Sequence, residues 1–132
     1  MKQIVPEIYV MNCGEALDFY RGVFGGDIRN LQTSDNNALF RHAPGKVVHA
    51  ELHVNNKCIF YFSDIFNEKR GKLGNVSLML HMETEEEIGR VYAALSNRGH
   101  IGMELRETMT GALHAIVTDR YGAPWSLNYS KQ

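Results

Sequence analysis

Apolar residues recur at three- and four-residue spacing in two segments of the chain. In the first segment, one helical face carries Ala16, Phe19, Tyr20 and Val23. In the second, the equivalent face carries Ile88, Val91, Tyr92 and Leu95. This spacing predicts two amphipathic helices, the first ending at Gly25-Gly26 and the second before Gly99. Thr84 is predicted to cap the second helix.

Most remaining apolar segments are short, rich in β-branched and aromatic residues and bounded by turn-forming residues, which predicts strands. The stronger candidates are residues 4–11, 47–54, 58–63, 76–82, 113–118 and 124–129. The weaker candidates are residues 27–32 and 101–107. Hairpin turns are predicted at Asn55-Asn56 and Tyr121-Gly122.

The two halves of the chain resemble each other. Tyr20 and Tyr92 occupy the same place in their helices, and His49-Ala50 and His114-Ala115 occupy the same place in later strands. Two matches in the same order predict a tandem repeat of a β-α-β-β-β module. We therefore expect one α+β domain over residues 1–132, with modules at approximately 1–65 and 76–132 and a charged linker at 66–75.

The composition of the chain argues against some classes of binding partner. The 132-residue chain has a formal net charge of −1, so it lacks the basic excess that binding to nucleic acid requires. No apolar run approaches the roughly 20 residues of a membrane span, and the N-terminus lacks a signal peptide. We expect a cytoplasmic protein. Cys13 and Cys58 form no CxxC pair and are predicted to be reduced, partly buried thiols.

The candidate chemistry lies on one strand. His49, Glu51 and His53 alternate, so their side chains share a face of the sheet. They could form a polar, titratable lining that binds a ligand or exchanges protons. They could instead hold a divalent cation (zinc, nickel, iron or manganese), if another element completes the ligand set. The candidates for that element are His114, the repeat partner of His49, and His81.

The run ALDFYRGVFGGDI resembles the helix that opens domains of the vicinal-oxygen-chelate superfamily, which includes glyoxalase I, extradiol dioxygenases and bleomycin-resistance proteins. The segments HAELHV, CIFYFSD and TDRYGAPWSLNYS are closer to its PhnB-like branch, often labelled 3-demethylubiquinone 3-methyltransferase-like. The resemblance spans nearly the whole chain. It implies two βαβββ modules whose curved sheets form a cup with the helices outside, in a protein that is often a homodimer. It also places Trp125 in the core under the helices, rather than in the cup as a residue that stacks on a ligand. The chain has no GxGxxG turn, so the methyltransferase label has no support.

In metal-using members of that superfamily, the first and last strand of each module supply His, Gln or Glu ligands. The resemblance places these positions near Pro6, Tyr61, Ser77 and Ser126. Proline and serine are poor ligands, and one tyrosine cannot hold a cation alone. The usual metal site is therefore predicted to be absent.

Two functional hypotheses follow. The first is a small-molecule binding protein that needs no cofactor; its predicted cup lining comprises His49, Glu51, His53, Tyr61, Ser77, His114 and Ser126. The second is a lyase, isomerase or dioxygenase that uses a divalent metal held by His49, Glu51 and His114. The loss of the usual ligand positions favours binding.

Overall fold

The structure, a computed structural model, describes residues 1–36, 43–66 and 76–131. The chain divides into two compact units, one within residues 1–73 and the other within residues 74–132. The predicted linker at 66–75 lies outside the described residues, except for Phe66.

The first unit is a four-stranded mixed sheet, sheet 1, with one long helix. Its elements are β1 (Glu7–Val10), α1 (Cys13–Phe24), β2 (Asp27–Thr33), β3 (Val47–Asn55) and β4 (Cys58–Asp64). A turn of 3₁₀-helix at Ser34–Asn36 follows β2. The strand order is β1-β4-β3-β2, and β1 runs parallel to β4 while the other neighbours are antiparallel.

The second unit repeats this arrangement as sheet 2. Its elements are β5 (Met79–His81), α2 (Glu85–Ser96), β6 (His100–Glu107), β7 (Leu113–Thr118) and β8 (Pro124–Tyr129). The order is β5-β8-β7-β6, with β5 parallel to β8. The predicted α+β class and the tandem βαβββ modules are confirmed.

The predicted boundaries differ from the structure mainly at the first strand of each module. Strands β1 and β5 are shorter than predicted, whereas β7 and β8 match the predicted ranges. The first hairpin turn lies one residue later than predicted, because Asn55 ends β3. Its side-chain oxygen accepts the backbone N–H groups of Lys57 and Cys58, which shapes the turn.

Helix α1 buries the face that its apolar spacing predicts. Its fully buried residues include Ala16 and Tyr20, and the Tyr20 ring stacks on Phe62 of β4 with centroids 4.8 Å apart. Farther along the helix, the rings of Phe24 and Phe60 have centroids 5.7 Å apart. These contacts fix α1 on one face of sheet 1, so the alternate residues of β3 and β4 lie on the opposite face.

A buried carboxylate joins this helix to the sheet. Asn12 precedes α1 in a left-handed conformation and makes no side-chain cap. Asp64, at the end of β4 and 3% exposed, instead accepts the Cys13 N–H at 3.0 Å and the Val47 N–H at 2.6 Å. One side chain therefore pairs backbone donors from both α1 and β3.

Helix α2 packs on sheet 2 in the same way. Its buried residues Ile88, Val91 and Leu95 belong to the predicted helical face. The Thr84 hydroxyl accepts the Glu87 N–H at 3.0 Å, which confirms the predicted cap. Tyr92 is only half-buried, unlike its repeat partner Tyr20.

The β7–β8 turn depends on Asp119, which is 3% exposed. Its carboxylate accepts the backbone N–H groups of Tyr121 and Ala123 and the indole N–H of Trp125 at 2.8 Å. Trp125 is 1% exposed, so its predicted place in the core is confirmed.

Gly26 and Gly99 occupy the same place in the repeat, where the chain leaves each helix for the sheet. A Cβ atom at Gly26 would overlap the backbone of His53, and one at Gly99 would overlap that of Thr118. The backbone approaches the neighbouring strand so closely that only glycine fits. Each helix spans 12 residues, and no helix in the described part of the chain is long and apolar enough to cross a bilayer.

The double role of Asp64 generates a stability prediction. Asp64→Ala leaves two buried N–H groups without an acceptor, so we expect it to lower the free energy of unfolding by about 3 kcal/mol. Asp18→Ala is the matched control, because Asp18 is exposed on α1 and, among the described residues, pairs only with Arg21. We expect a loss below about 0.5 kcal/mol there. Urea denaturation measures both, and equal losses in the two variants would contradict the role given to Asp64.

Candidate functional site

The face of sheet 1 opposite α1, which we call the polar face, gathers the candidate residues of the first module. On β3 and β4, the residues of this face are His49, Glu51, His53, Ile59, Tyr61 and Ser63. The pleat determines this set, because Ala50, Leu52 and Phe62 point the other way into the α1 core. Four of the seven predicted lining residues therefore lie on one face of one sheet.

Glu51 lies between the two histidines. His49 Nε2 is 2.9 Å from Glu51 Oε2, and His53 Nε2 is 2.8 Å from Glu51 Oε1. Glu51 is 9% exposed, whereas the histidine side chains are 26% and 20% exposed. Both carboxylate oxygens are thus occupied by imidazole rings, and the rings cover the carboxylate.

This geometry favours the ionised form of Glu51. Hydrogen bonds from His49, then from His53, lower the pKa of Glu51 from 4.5 to about 2. An ionised carboxylate only accepts hydrogen bonds, so each contacting Nε2 must carry its hydrogen. In the neutral rings the Nδ1 atoms then carry lone pairs. No other described residue makes a hydrogen bond to either Nδ1, so both can accept one from a ligand.

A bulge in β2 brings another polar side chain near Glu51. Arg29 lies opposite Glu51 and Gln32 opposite His49, so two residues on β2, Asn30 and Leu31, lie opposite one residue on β3. Within the bulge Asn30 has a φ of 53°, a left-handed conformation that asparagine tolerates better than most residues. The Asn30 side chain also helps to lower the pKa of Glu51, after the two histidines. The sequence gives no signal for Asn30, since a bulge in β2 leaves no mark on the alternation of β3.

Tyr61 extends the cluster across the sheet. It lies opposite Glu51 in the β3–β4 register, and its ring meets the His49 ring edge-on with centroids 4.8 Å apart. The ring is half-buried. The contact fixes the plane of His49 and places an aromatic side chain beside its exposed edge.

The polar face has a negative balance of fixed charge. Its carboxylates in the described residues are Glu7, Asp27 and Glu51, assigned by their register partners on β3 and β4. Arg29, opposite Glu51, brings one positive charge to the same face, and its Nη2 atom lies 3.7 Å from Asp27 Oδ2. Negative charge combined with outward acceptor atoms favours ligands that donate hydrogen bonds over anions.

The other three predicted lining residues lie in the second unit. His114 is on β7, Ser126 is on β8 and 7% exposed, and Ser77 is exposed just before β5. His81, the second candidate partner, accepts a hydrogen bond at Nδ1 from the Asn128 side-chain amide at 3.2 Å. Ser126 and His114 share the face of sheet 2 opposite α2, in neighbouring rows.

The side chains at the positions where the resemblance places metal ligands include no imidazole and no carboxylate. Pro6 offers only a carbonyl oxygen, which already accepts the Tyr61 N–H at 2.9 Å. Within the polar face, each oxygen of Glu51 accepts an imidazole N–H group. No group of three His, Cys, Asp or Glu side chains within residues 1–36, 43–66 and 76–131 could hold a metal ion.

A cavity of about 380 Å³ lies elsewhere, beside the start of α1. Its lining includes Cys13, Lys46 and Asp64. Each oxygen of Asp64 accepts a backbone N–H group. Burial, followed by the charge of Asp64, raises the pKa of Cys13 to about 12. This thiol stays protonated and unreactive. Both cysteines are free, but Cys58 is exposed, so the expectation of partial burial is wrong for it.

The superfamily found by sequence comparison agrees with the observed fold. The model of the Glyoxalase/Bleomycin resistance protein/Dioxygenase superfamily matches residues 2–127, and the chain belongs to this superfamily. Protein YjdN of Escherichia coli K12 is 25% identical over 133 residues, which cover 92% of this chain and 90% of that protein.

Two solved structures are similar over nearly the whole chain. Protein PA1353 from Pseudomonas aeruginosa has a TM-score of 0.87 at 27% identity, with 98% of each chain covered. A PhnB protein from Bacillus cereus has a TM-score of 0.76 at 26% identity, covering 98% of this chain and 100% of the other. The predicted resemblance to the PhnB-like branch is confirmed.

The lowered pKa of Glu51 generates a prediction for acid unfolding. A carboxylate with a depressed folded pKa stabilises the protein above its unfolded pKa and loses that contribution as pH falls through the folded value. The contribution of Glu51 is therefore complete above about pH 4.5 and lost between pH 4.5 and 2. We expect Glu51→Gln to be less stable than the wild type at pH 6, with the difference shrinking over that window.

Urea denaturation between pH 6 and pH 2.5 measures this difference. Glu104→Gln, an exposed carboxylate on β6, is the control and is expected to follow the wild type throughout. If the loss of unfolding free energy in Glu51→Gln stays constant with pH, Glu51 is not held ionised by His49 and His53.

Proposed function

We propose that this protein binds a small organic molecule on the polar face of sheet 1, without the metal site of its metal-using relatives. The observation that carries the proposal is the His49–Glu51–His53 cluster. Three polar side chains on one strand use one another to fix their orientation, and they leave two imidazole acceptor atoms for a ligand.

The chemistry of the cluster defines what the ligand must offer. In the neutral rings the two Nδ1 atoms can accept hydrogen bonds, and the surrounding carboxylates disfavour anions. On the same face, Tyr61 supplies a flat aromatic surface and Ile59 an aliphatic one. The ligand is therefore a neutral or cationic molecule with O–H or N–H donors and an apolar body. Such sites commonly combine apolar surface with a few oriented polar groups.

The loss of donor side chains at the usual metal positions supports binding over metal-dependent catalysis. Pro6, Tyr61, Ser77 and Ser126 offer no set of imidazole or carboxylate ligands. Catalysis would have to rely on the histidines alone as acid and base. Binding requires only the geometry already described, and on this proposal it needs no cofactor.

A matched pair of probes tests the proposal. Resorcinol carries two O–H donors, whereas 1,3-dimethoxybenzene has the same ring and no donor. We expect resorcinol to shift the amide NMR signals of β3 and β4 with an affinity on the order of millimolar, as for a ligand of this size. The dimethyl ether is expected to bind at least about tenfold more weakly.

Substitution then identifies the acceptors. His49→Phe and His53→Phe keep a ring but remove its nitrogens, and each should weaken resorcinol binding. His100→Phe changes an exposed histidine on β6 and should leave the affinity unchanged. Binding that is equal for both probes, or insensitive to His49 and His53, would overturn the proposal, as would the absence of any binding at the polar face.

A further inference from the structure

Sheet 2 presents a different surface on the face opposite α2, which we call the mixed face. The residues that pack under α2 in β7 and β8, among them Ala115, Val117 and Leu127, are fully buried, so their alternates lie on the mixed face. The strand register arranges those alternates in two rows across the sheet. The first row is Met79, Ser126, Ile116 and Met103. The second row is His81, Asn128, His114 and Arg106.

The first row is largely apolar and accessible. Met79 is 48% exposed and Ile116 is 37% exposed. Ile116 lies over Gly102 of β6, where an added Cβ would come within 3.3 Å of Ile116 Cγ2. Because Gly102 has no side chain, the surface between Ile116 and Met103 is recessed and apolar. Single exposed apolar residues are ordinary, but neighbouring ones on one sheet face indicate a contact surface.

The second row presents hydrogen-bond donors. Arg106 is exposed and makes no ion pair or hydrogen bond with any described residue. The adjacent carboxylate, Glu107, pairs with Lys131 rather than with Arg106, and its Oε1 atom lies 4.0 Å from Lys131 Nζ. His81 accepts from Asn128 at Nδ1, so its neutral ring carries the hydrogen at Nε2 and donates outward. His114 lies directly opposite Arg106 in the register.

We propose that the mixed face binds an amphipathic organic carboxylate, with the carboxylate on Arg106 and His114 and the apolar body over Ile116 and Met103. The guanidinium fork matches the two oxygens of a carboxylate. The two rows are roughly 6.6 Å apart along a strand, which suits a carboxylate attached to one or two fused rings. This inference rests on the proposed function, small-molecule binding, and adds a ligand class for the second sheet.

The repeat shows that the two faces have diverged in charge. The counterpart of Ile116 in the first module is Glu51, because both lie two residues after the repeated histidine. The polar face therefore carries a buried carboxylate where the mixed face carries an exposed aliphatic side chain. A carboxylate ligand is repelled by Glu51 on the polar face, whereas on the mixed face Ile116 offers apolar contact and Arg106 attracts the carboxylate.

The test compares 2-naphthoate with its neutral analogue 2-naphthalenemethanol in NMR titrations of the full chain. We expect naphthoate to shift amide signals of β6 and β7 and to bind more tightly than the alcohol. Arg106→Gln should weaken naphthoate about tenfold or more and leave the alcohol unchanged. Ile116→Thr should weaken both probes, because it removes apolar contact. Arg21→Gln, which removes an exposed arginine from α1, is the control and should change neither affinity.

Several results would overturn the inference. These are no naphthoate binding at millimolar concentration, equal affinity for the two probes, or an affinity unchanged in Arg106→Gln. Naphthoate shifts confined to β3 and β4 would overturn it as well. If resorcinol binds the polar face while naphthoate fails on the mixed face, the ligand class is wrong and the proposed function stands. If resorcinol fails and naphthoate binds as expected, the polar face is the wrong site.

Discussion

Alternation of side chains along β3 is the constraint on which the site depends. Ala50 and Leu52 are fully buried under α1, so His49, Glu51 and His53 must share the opposite face. There the hydrogen bonds from both rings keep Glu51 ionised although it is almost wholly covered. The packing of the helix and the chemistry of the polar face are thus two consequences of one register. A one-residue slip of β3 would destroy both.

Duplication of the βαβββ module gives two sheets of the same topology with different surfaces. The shared features serve the fold: both sheets carry a helix on one face, and Gly26 and Gly99 allow the same close approach of backbone. Features that differ lie on the faces opposite the helices, where Glu51 in one module corresponds to Ile116 in the other. Residues released from packing are free to take on binding roles.

Much of the fold could be predicted because its signals are periodic. The two helices, the Thr84 cap, the β7 and β8 ranges and the shared face of the β3 histidines follow from spacing alone. The contacts of Asn30, Asp64 and Asp119 could not be predicted, because each pairs a polar side chain with groups that only the folded chain brings near. The role given to Arg106 likewise needs the β6–β7 register, since a bulge breaks the alternation of β6.

The most direct test of the His49–Glu51–His53 cluster is the tautomeric state of its two rings, measured by long-range proton–nitrogen NMR correlation at about pH 9, where an ordinary imidazole is neutral. The two Phe variants assign the signals. We predict that both rings carry hydrogen at Nε2 and none at Nδ1, and that Glu51→Gln changes at least one of them, because an amide offers only one acceptor oxygen. Wild-type rings protonated at Nδ1, or exchanging freely between tautomers, would contradict the account.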